Sequence, residues 1–197
     1  MPRVGRPAKF GNDQILDAAA ELAAEGGQAA VTVSAIAARL GAPSGSIYHR
    51  YASRDLLVAH LWIRAVRRFQ EGYLEAVRRA DPRAAVEAAV AHVIRWPAGR
   101  PAEARLLLLH RREDLLDSWP AELADDLRGL NEEVREALAD LVRRYFGADV
   151  PDGPERMVFA LVDIPYAAVR RHLLAGRRPP GSAERMAILA ARAVLEA

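Results

Sequence analysis

The chain contains no cysteine among its 197 residues. Disulfide-stapled secreted scaffolds, thiolate zinc or iron–sulfur sites and cysteine nucleophiles are thereby excluded. Lysine is almost as scarce: Lys9 is the only one, and every other basic residue except histidine is arginine. A lone lysine in an N-terminal tail serves neither a phosphate loop nor a buried Schiff base. Long apolar runs are missing too. The longest, residues 157–169, is interrupted by Asp163 and is too short to span a membrane. The first twelve residues carry Arg3, Arg6 and Lys9 but no apolar stretch of signal-peptide length, so the expected location is the cytoplasm. Net charge is only +2, and any surface for a polyanion must therefore be local.

Several catalytic signatures are also lacking. There is no GxSxG elbow, no glycine-rich phosphate loop, no dinucleotide fingerprint and no HExxH or paired-carboxylate motif. The five histidines, His49, His60, His92, His110 and His172, have no ligand-like spacing. A protein that is not an enzyme, with no cofactor and no metal, is the expectation.

What is present is helix-forming sequence. Hydrophobic residues make up 51%, dominated by alanine and leucine, and runs of β-branched residues are rare. The breakers divide the chain into about nine helices, an all-α fold, over residues 12–25, 32–40, 43–51, 53–80, 83–95, 102–117, 121–146, 155–175 and 183–196. The expected division is an N-terminal arm with the first short helices, residues 1–55, followed by a larger helical domain, residues 56–197.

The informative segment is Thr32-Val33-Ser34-Ala35-Ile36-Ala37-Ala38-Arg39-Leu40-Gly41-Ala42-Pro43-Ser44-Gly45-Ser46-Ile47-Tyr48-His49-Arg50-Tyr51. It reads as two short helices joined by a tight turn, with Ile36, Leu40 and Ile47 spaced to pack on the first helix. Ala37 allows close crossing, and Gly41 can take the left-handed conformation of the turn. The second short helix gives Ile47 and the Tyr51 ring to the core. Ser44, Gly45, Ser46, Tyr48, His49 and Arg50 are left to point outward. That suits a helix in a DNA major groove, where small residues admit phosphates and the longer polar groups reach bases or backbone. Arg3, Arg6 and Lys9 in the arm suit an adjacent minor groove, and the same arm also reads as a solubilising tail.

These residues resemble the TetR-type one-component transcriptional regulators. The likeness runs from Asn12 to Leu57: Ile15-Leu16-Asp17-Ala18-Ala19, then Gly26, Thr32, Ile36-Ala37, Leu40-Gly41, Ser44, Gly45, Tyr48 and Leu57. The resemblance implies that Thr32 and Ser34 are phosphate or groove contacts. It implies that Ser44, Gly45 and Ser46 open the recognition helix, and that Tyr48 and His49 touch the DNA backbone. Arg54 stands where the family commonly has a lysine aimed at a phosphate. Two positions depart from the pattern: Arg50 replaces a frequent histidine, and Tyr51 a frequent core phenylalanine.

In the remaining helices, Ala183, Ala187, Ala190 and Val194 form a small-residue stripe suited to a helix seam. The segment with Val158, Leu161 and Val169 is apolar nearly all round. The resemblance implies that these two helices pair with their copies in a homodimer. Pro165 cannot donate to the Leu161 carbonyl, so a kink is expected that exposes this acceptor near Asp163 and Tyr166. Trp62, Phe69, Tyr73, His92, Trp96, Leu107 and His110, with Asp163 and Tyr166, are candidates for an effector pocket. The expected function is a homodimeric repressor, released from a palindromic double-stranded operator by a small, mainly apolar or aromatic effector. An activator or corepressor-dependent regulator of the same fold, or a helical carrier without DNA binding, are the alternatives.

Overall fold

Caps and breakers set the helix ends. The computed structural model describes residues 11–109, 123–147 and 150–197, and no strand occurs among them. Helix α1 (Asn12–Gly26) ends at Gly27, and α2 (Val33–Leu40) starts where the Thr32 hydroxyl accepts from the Ala35 amide at 3.1 Å. Gly41 terminates α2 at φ 60°, ψ 35°, a left-handed conformation that favours glycine. Helix α3 (Ser44–Tyr48) follows after Pro43. Ser53 caps the long α4 (Arg54–Val77), and Asp81 caps α5 (Pro82–Gly99) through two amides. The remaining elements are α6 (Pro101–Leu109), α7 (Ala124–Gly129), α8 (Glu132–Phe146), α9 (Gly153–Val158), a π-helical turn (Phe159–Asp163), α10 (Ile164–Leu174) and α11 (Gly181–Glu196).

Three expected boundaries move. Helix α5 does not break at Trp96-Pro97 but continues to Gly99. Pro97 falls in the last turn, where its missing N–H forfeits a single ladder bond and the chain can finish the helix. The expected helix over 121–146 is divided at Leu130-Asn131 into α7 and α8. There Gln70 of α4 donates to the Leu130 carbonyl and to Asn131 Oδ1, each at 2.9 Å, anchoring the break from outside. Around Pro165 the helix widens into the π turn, with the Ile164 amide bonding the Phe159 carbonyl five residues back.

Two hydrophobic cores result. The first joins α1, α2 and α3 to the first half of α4, as far as Val66, and takes in Leu106, Leu123, Leu127 and Leu130. The second joins α4 from Tyr73 onward to α5, α8, α9, α10 and α11. Helix α4 therefore runs through both, and α6 packs on α1, α4 and α5. No described helix is long and apolar enough to cross a membrane.

Candidate nucleic-acid interface

Helix α3 is five residues long, too short to be stable by itself. It is held by Ile47, fully buried, and by Tyr51, whose ring meets His60 edge-on at 5.4 Å between centroids. Arg39 at the end of α2 clamps that helix to α1 through Glu25, at 2.9 and 2.5 Å, and Glu21, at 3.3 Å. With these contacts made, Ser44, Gly45, Tyr48 and His49 remain exposed, Tyr48 by 56%. Thr32 and Ser34 at the start of α2 are exposed as well. These polar residues of the motif are thus left open to solvent.

The hydrogen bonds divide the hydroxyls by what they can still offer. Thr32 uses a lone pair for its cap, so its O–H stays available to donate to a phosphate. Ser46 donates to the Pro43 carbonyl at 2.7 Å, which leaves it only acceptor capacity. Arg50 is half-buried with one guanidinium nitrogen 3.4 Å from the Ser46 carbonyl. Arg3, Arg6 and Lys9 lie outside the described residues.

Arg54 has a dual placement that the sequence did not suggest. Its Nε donates to the Val31 carbonyl at 2.7 Å, and another guanidinium nitrogen lies 3.3 Å from Asp55. It therefore ties the start of α4 to the residue preceding Thr32, while a third of its side chain stays open to solvent. Replacing Arg54 with alanine should weaken binding to specific and unrelated duplexes alike and make the slope against log salt shallower by about one. An unchanged salt slope with lost sequence preference would place Arg54 at a base edge instead.

Residues 15–61 match the family model described as bacterial regulatory proteins, tetR family. That span covers α1 through the first turns of α4, with every element of the interface just described. Over this segment the chain is similar to the tetR family. No curated protein sequence matches the chain. Solved structures share its fold over nearly the whole length. A TetR transcription regulator from Haloarcula marismortui is 21% identical with a TM-score of 0.72, covering 94% of this chain and 96% of the other. The regulator PfmR from Thermus thermophilus is 21% identical with a TM-score of 0.68, covering 92% and 97%. FadR from Bacillus subtilis, solved in complex with stearoyl-CoA, is 18% identical with a TM-score of 0.68, covering 94% and 96%. At these identities the solved structures show a shared fold.

In the helical body, four of the nine pocket candidates meet. The Phe69 ring lies 5.6 Å from Tyr73, 5.1 Å from His92 and 5.4 Å from Trp96. His92 Nε2 lies 2.9 Å from the Phe69 carbonyl, which holds the ring as the tautomer with hydrogen on Nε2 and leaves Nδ1 as an acceptor. Gly72 makes this possible, since a Cβ there would come within 2.5 Å of the His92 ring. Burial holds the imidazole pKa below its ordinary value, against the opposing Phe69 carbonyl, and pushes the Tyr73 phenol upward. Trp96 Nε1 is buried with no hydrogen-bond partner among the described residues.

The other candidates sit elsewhere. Trp62 belongs to the N-terminal core, and Leu107 packs against that same core. Asp163, in the π turn, and Tyr166, in α10, are exposed, and Tyr166 has no ring contact with the aromatic cluster among the described residues. His110 lies outside the described residues. The Leu161 carbonyl is not an open acceptor either: the residue is fully buried and the Tyr73 hydroxyl donates to it at 3.4 Å. The proline does free this carbonyl, and a neighbouring helix supplies the donor.

The expected dimer residues divide in the same way. Leu161, Val169, Ala183 and Ala187 are buried inside the chain, because the small residues of α11 turn toward α5 and the π turn. Val158 and Ala190 are exposed and Val194 is half-buried. The open apolar side contains Phe159, Val162, Met186 and Leu189, exposed by 50%, 42%, 53% and 62%. Sequence reading missed these four, although the offset of Met186 and Leu189 from the alanine stripe was a usable signal.

Proposed function

We propose that the protein is a homodimeric repressor that reads two half-sites of an inverted repeat and leaves it when an effector binds in the helical body. The exposed polar set on α2 and α3 carries this reading, since each chain presents one short recognition helix and so suits one half-site. The apolar face with Phe159, Val162, Met186 and Leu189 supports pairing with a second copy. Large apolar side chains left this open are the usual material of an interface between copies. Thr32, Ser34, Ser44, Gly45, Tyr48, His49, Arg50 and Arg54 supply the DNA contacts, with Ser46 acting as an acceptor.

The effector reading rests on Phe69, Tyr73, His92 and Trp96. Their rings favour an apolar or aromatic molecule, and the unpaired Trp96 N–H favours one that carries a hydrogen-bond acceptor. Such a ligand must bind the released arrangement better than the DNA-bound one, by about 1–3 kcal/mol of coupling. Selection of duplexes from a random pool tests the first half of the proposal, and an inverted repeat with steep salt dependence is the expected product. Recovery of no preferred sequence would favour the carrier reading. For the second half, Trp96→Phe should raise the effector concentration needed for operator release and leave ligand-free operator binding unchanged. A variant that responds as the parent does would move the effector site away from Trp96.

A further inference from the structure

A buried carboxylate stands at the junction of the two cores. Glu103, in the first turn of α6, is only 5% exposed and is the buried charged residue of the described chain. Arg64 and Arg68 come to it from α4: Arg64 stands in the stretch of the first core, which ends on α4 at Val66, and Arg68 stands between Val66 and Tyr73, where the second core begins. One Glu103 oxygen lies 2.7 Å from Arg68 and 3.7 Å from Arg64. Its other oxygen makes no hydrogen bond among the described residues, and Arg100 Nε is 4.0 Å away.

The same two arginines reach α1 on their other side. Arg64 lies 2.8 Å from Asp17 and 3.2 Å from Asp13, and it donates to the Asp13 carbonyl at 3.1 Å. Arg68 lies 3.6 Å from Asp17 and 3.8 Å from Asp13. Asp13 and Asp17 are spaced by one helical turn on α1, as Arg64 and Arg68 are on α4, so the two pairs face each other in register. The two ends of this cluster differ in solvation. The Glu103 side chain is 7% exposed, whereas Asp17 and Asp13 are 56% and 78% exposed. The inner end is desolvated, so its charge must stay paired. The outer end can exchange partners with water at little cost.

We infer that Glu103 is a positioning residue for DNA binding, which through Arg64 and Arg68 sets the angle between α1 and the helical body. Helix α1 carries α2 through Arg39, and α2 carries the recognition helix, so that angle fixes where α3 points. In a dimer it also fixes the separation of the two recognition helices, and to that extent the inference rests on the two-half-site reading. The exchangeable aspartate end lets the angle shift in steps as Arg64 and Arg68 trade between Asp13 and Asp17. The Glu103 end keeps those arginines on α6 while it does so.

The absence of native cysteine makes a direct test simple. Ala38→Cys on α2 and Glu136→Cys on α8 place two spin labels on one chain, which is diluted into unlabelled protein so that only intrachain distances are read. Glu103→Gln and Asp17→Asn are compared with the parent. Glu103→Gln should broaden the distance distribution and lower affinity for the full operator about tenfold. Binding to a half-site duplex and to unrelated DNA should stay at the parent level. Asp17→Asn, at an exposed position that does not endanger folding, should give a smaller change in the same direction. The double variant should be no worse than Glu103→Gln alone, as members of one network behave. Distributions as narrow as the parent's in both variants overturn the inference. So does a parallel loss of full-site, half-site and unrelated binding with melting temperature, which marks a purely structural ion pair. A parent that binds full and half-sites equally overturns the two-half-site reading instead, and the label widths then decide the role of Glu103.

Discussion

Replacing Leu189 with arginine should leave a folded monomer whose operator affinity has fallen by roughly 10²- to 10⁴-fold. Leu189 is 62% exposed in the single chain, so the substitution removes almost no intrachain contact and should change the stability of the fold by no more than about 0.5 kcal/mol. Its cost arises in the dimer. There the side chain would be covered by the partner's copy of the same face, and an unpaired guanidinium would be buried against apolar surface. The operator loss follows because one recognition helix alone must hold a half-site, without the effective concentration that linkage to a second provides. Sedimentation and operator titration check both parts. A variant that remains dimeric with parental affinity would move the interface off α11. Ala187→Arg serves as a contrast, because Ala187 is buried against the chain's own helices and that variant should fail to fold.

Ile47→Ala should abolish sequence-specific binding by unseating the recognition helix. Ile47 is fully buried, and truncating such a side chain typically costs about 2–5 kcal/mol. The consequence is concentrated, because α3 is five residues long and, among the described residues, Ile47 and Tyr51 are the buried side chains that anchor it to the N-terminal core. Hydrogen exchange should rise over residues 44–51 while the second core, from Tyr73 onward, keeps its protection. Parental exchange and parental operator affinity in this variant would mean that α3 is held by contacts other than these two.

The N-terminal domain was legible because its determinants are local. Thr32 and Ser53 as caps, Gly41 as a left-handed stop, and the spacing of Ile36, Leu40 and Ile47 each act within a few residues of where they stand. The all-helical fold was legible for the same reason, since alanine and leucine between breakers leave few alternatives. The interruption at Pro165 follows from one missing N–H, though not the fate of the Leu161 carbonyl, whose donor, Tyr73, is distant in sequence.

Orientation was decided only in three dimensions. The alanine stripe of α11 has the right residues for a seam, and periodicity cannot say whether the helix on the other side belongs to the same chain. In the structure it does, and the exposed apolar side is rotated to Met186 and Leu189. Trp62 and Phe69 share one helix, yet the boundary between the cores passes between them, so only Phe69 joins the aromatic cluster. Arg64, Arg68 and Glu103 look in sequence like ordinary surface charges among many others. What the sequence by itself determined are the helices, their caps and the DNA-binding motif, because these depend on backbone chemistry and near neighbours. Which side each body helix buries, where Tyr166 and Asp163 point, and that Glu103 loses its water were settled by tertiary packing, because burial depends on which distant helices arrive to cover a surface.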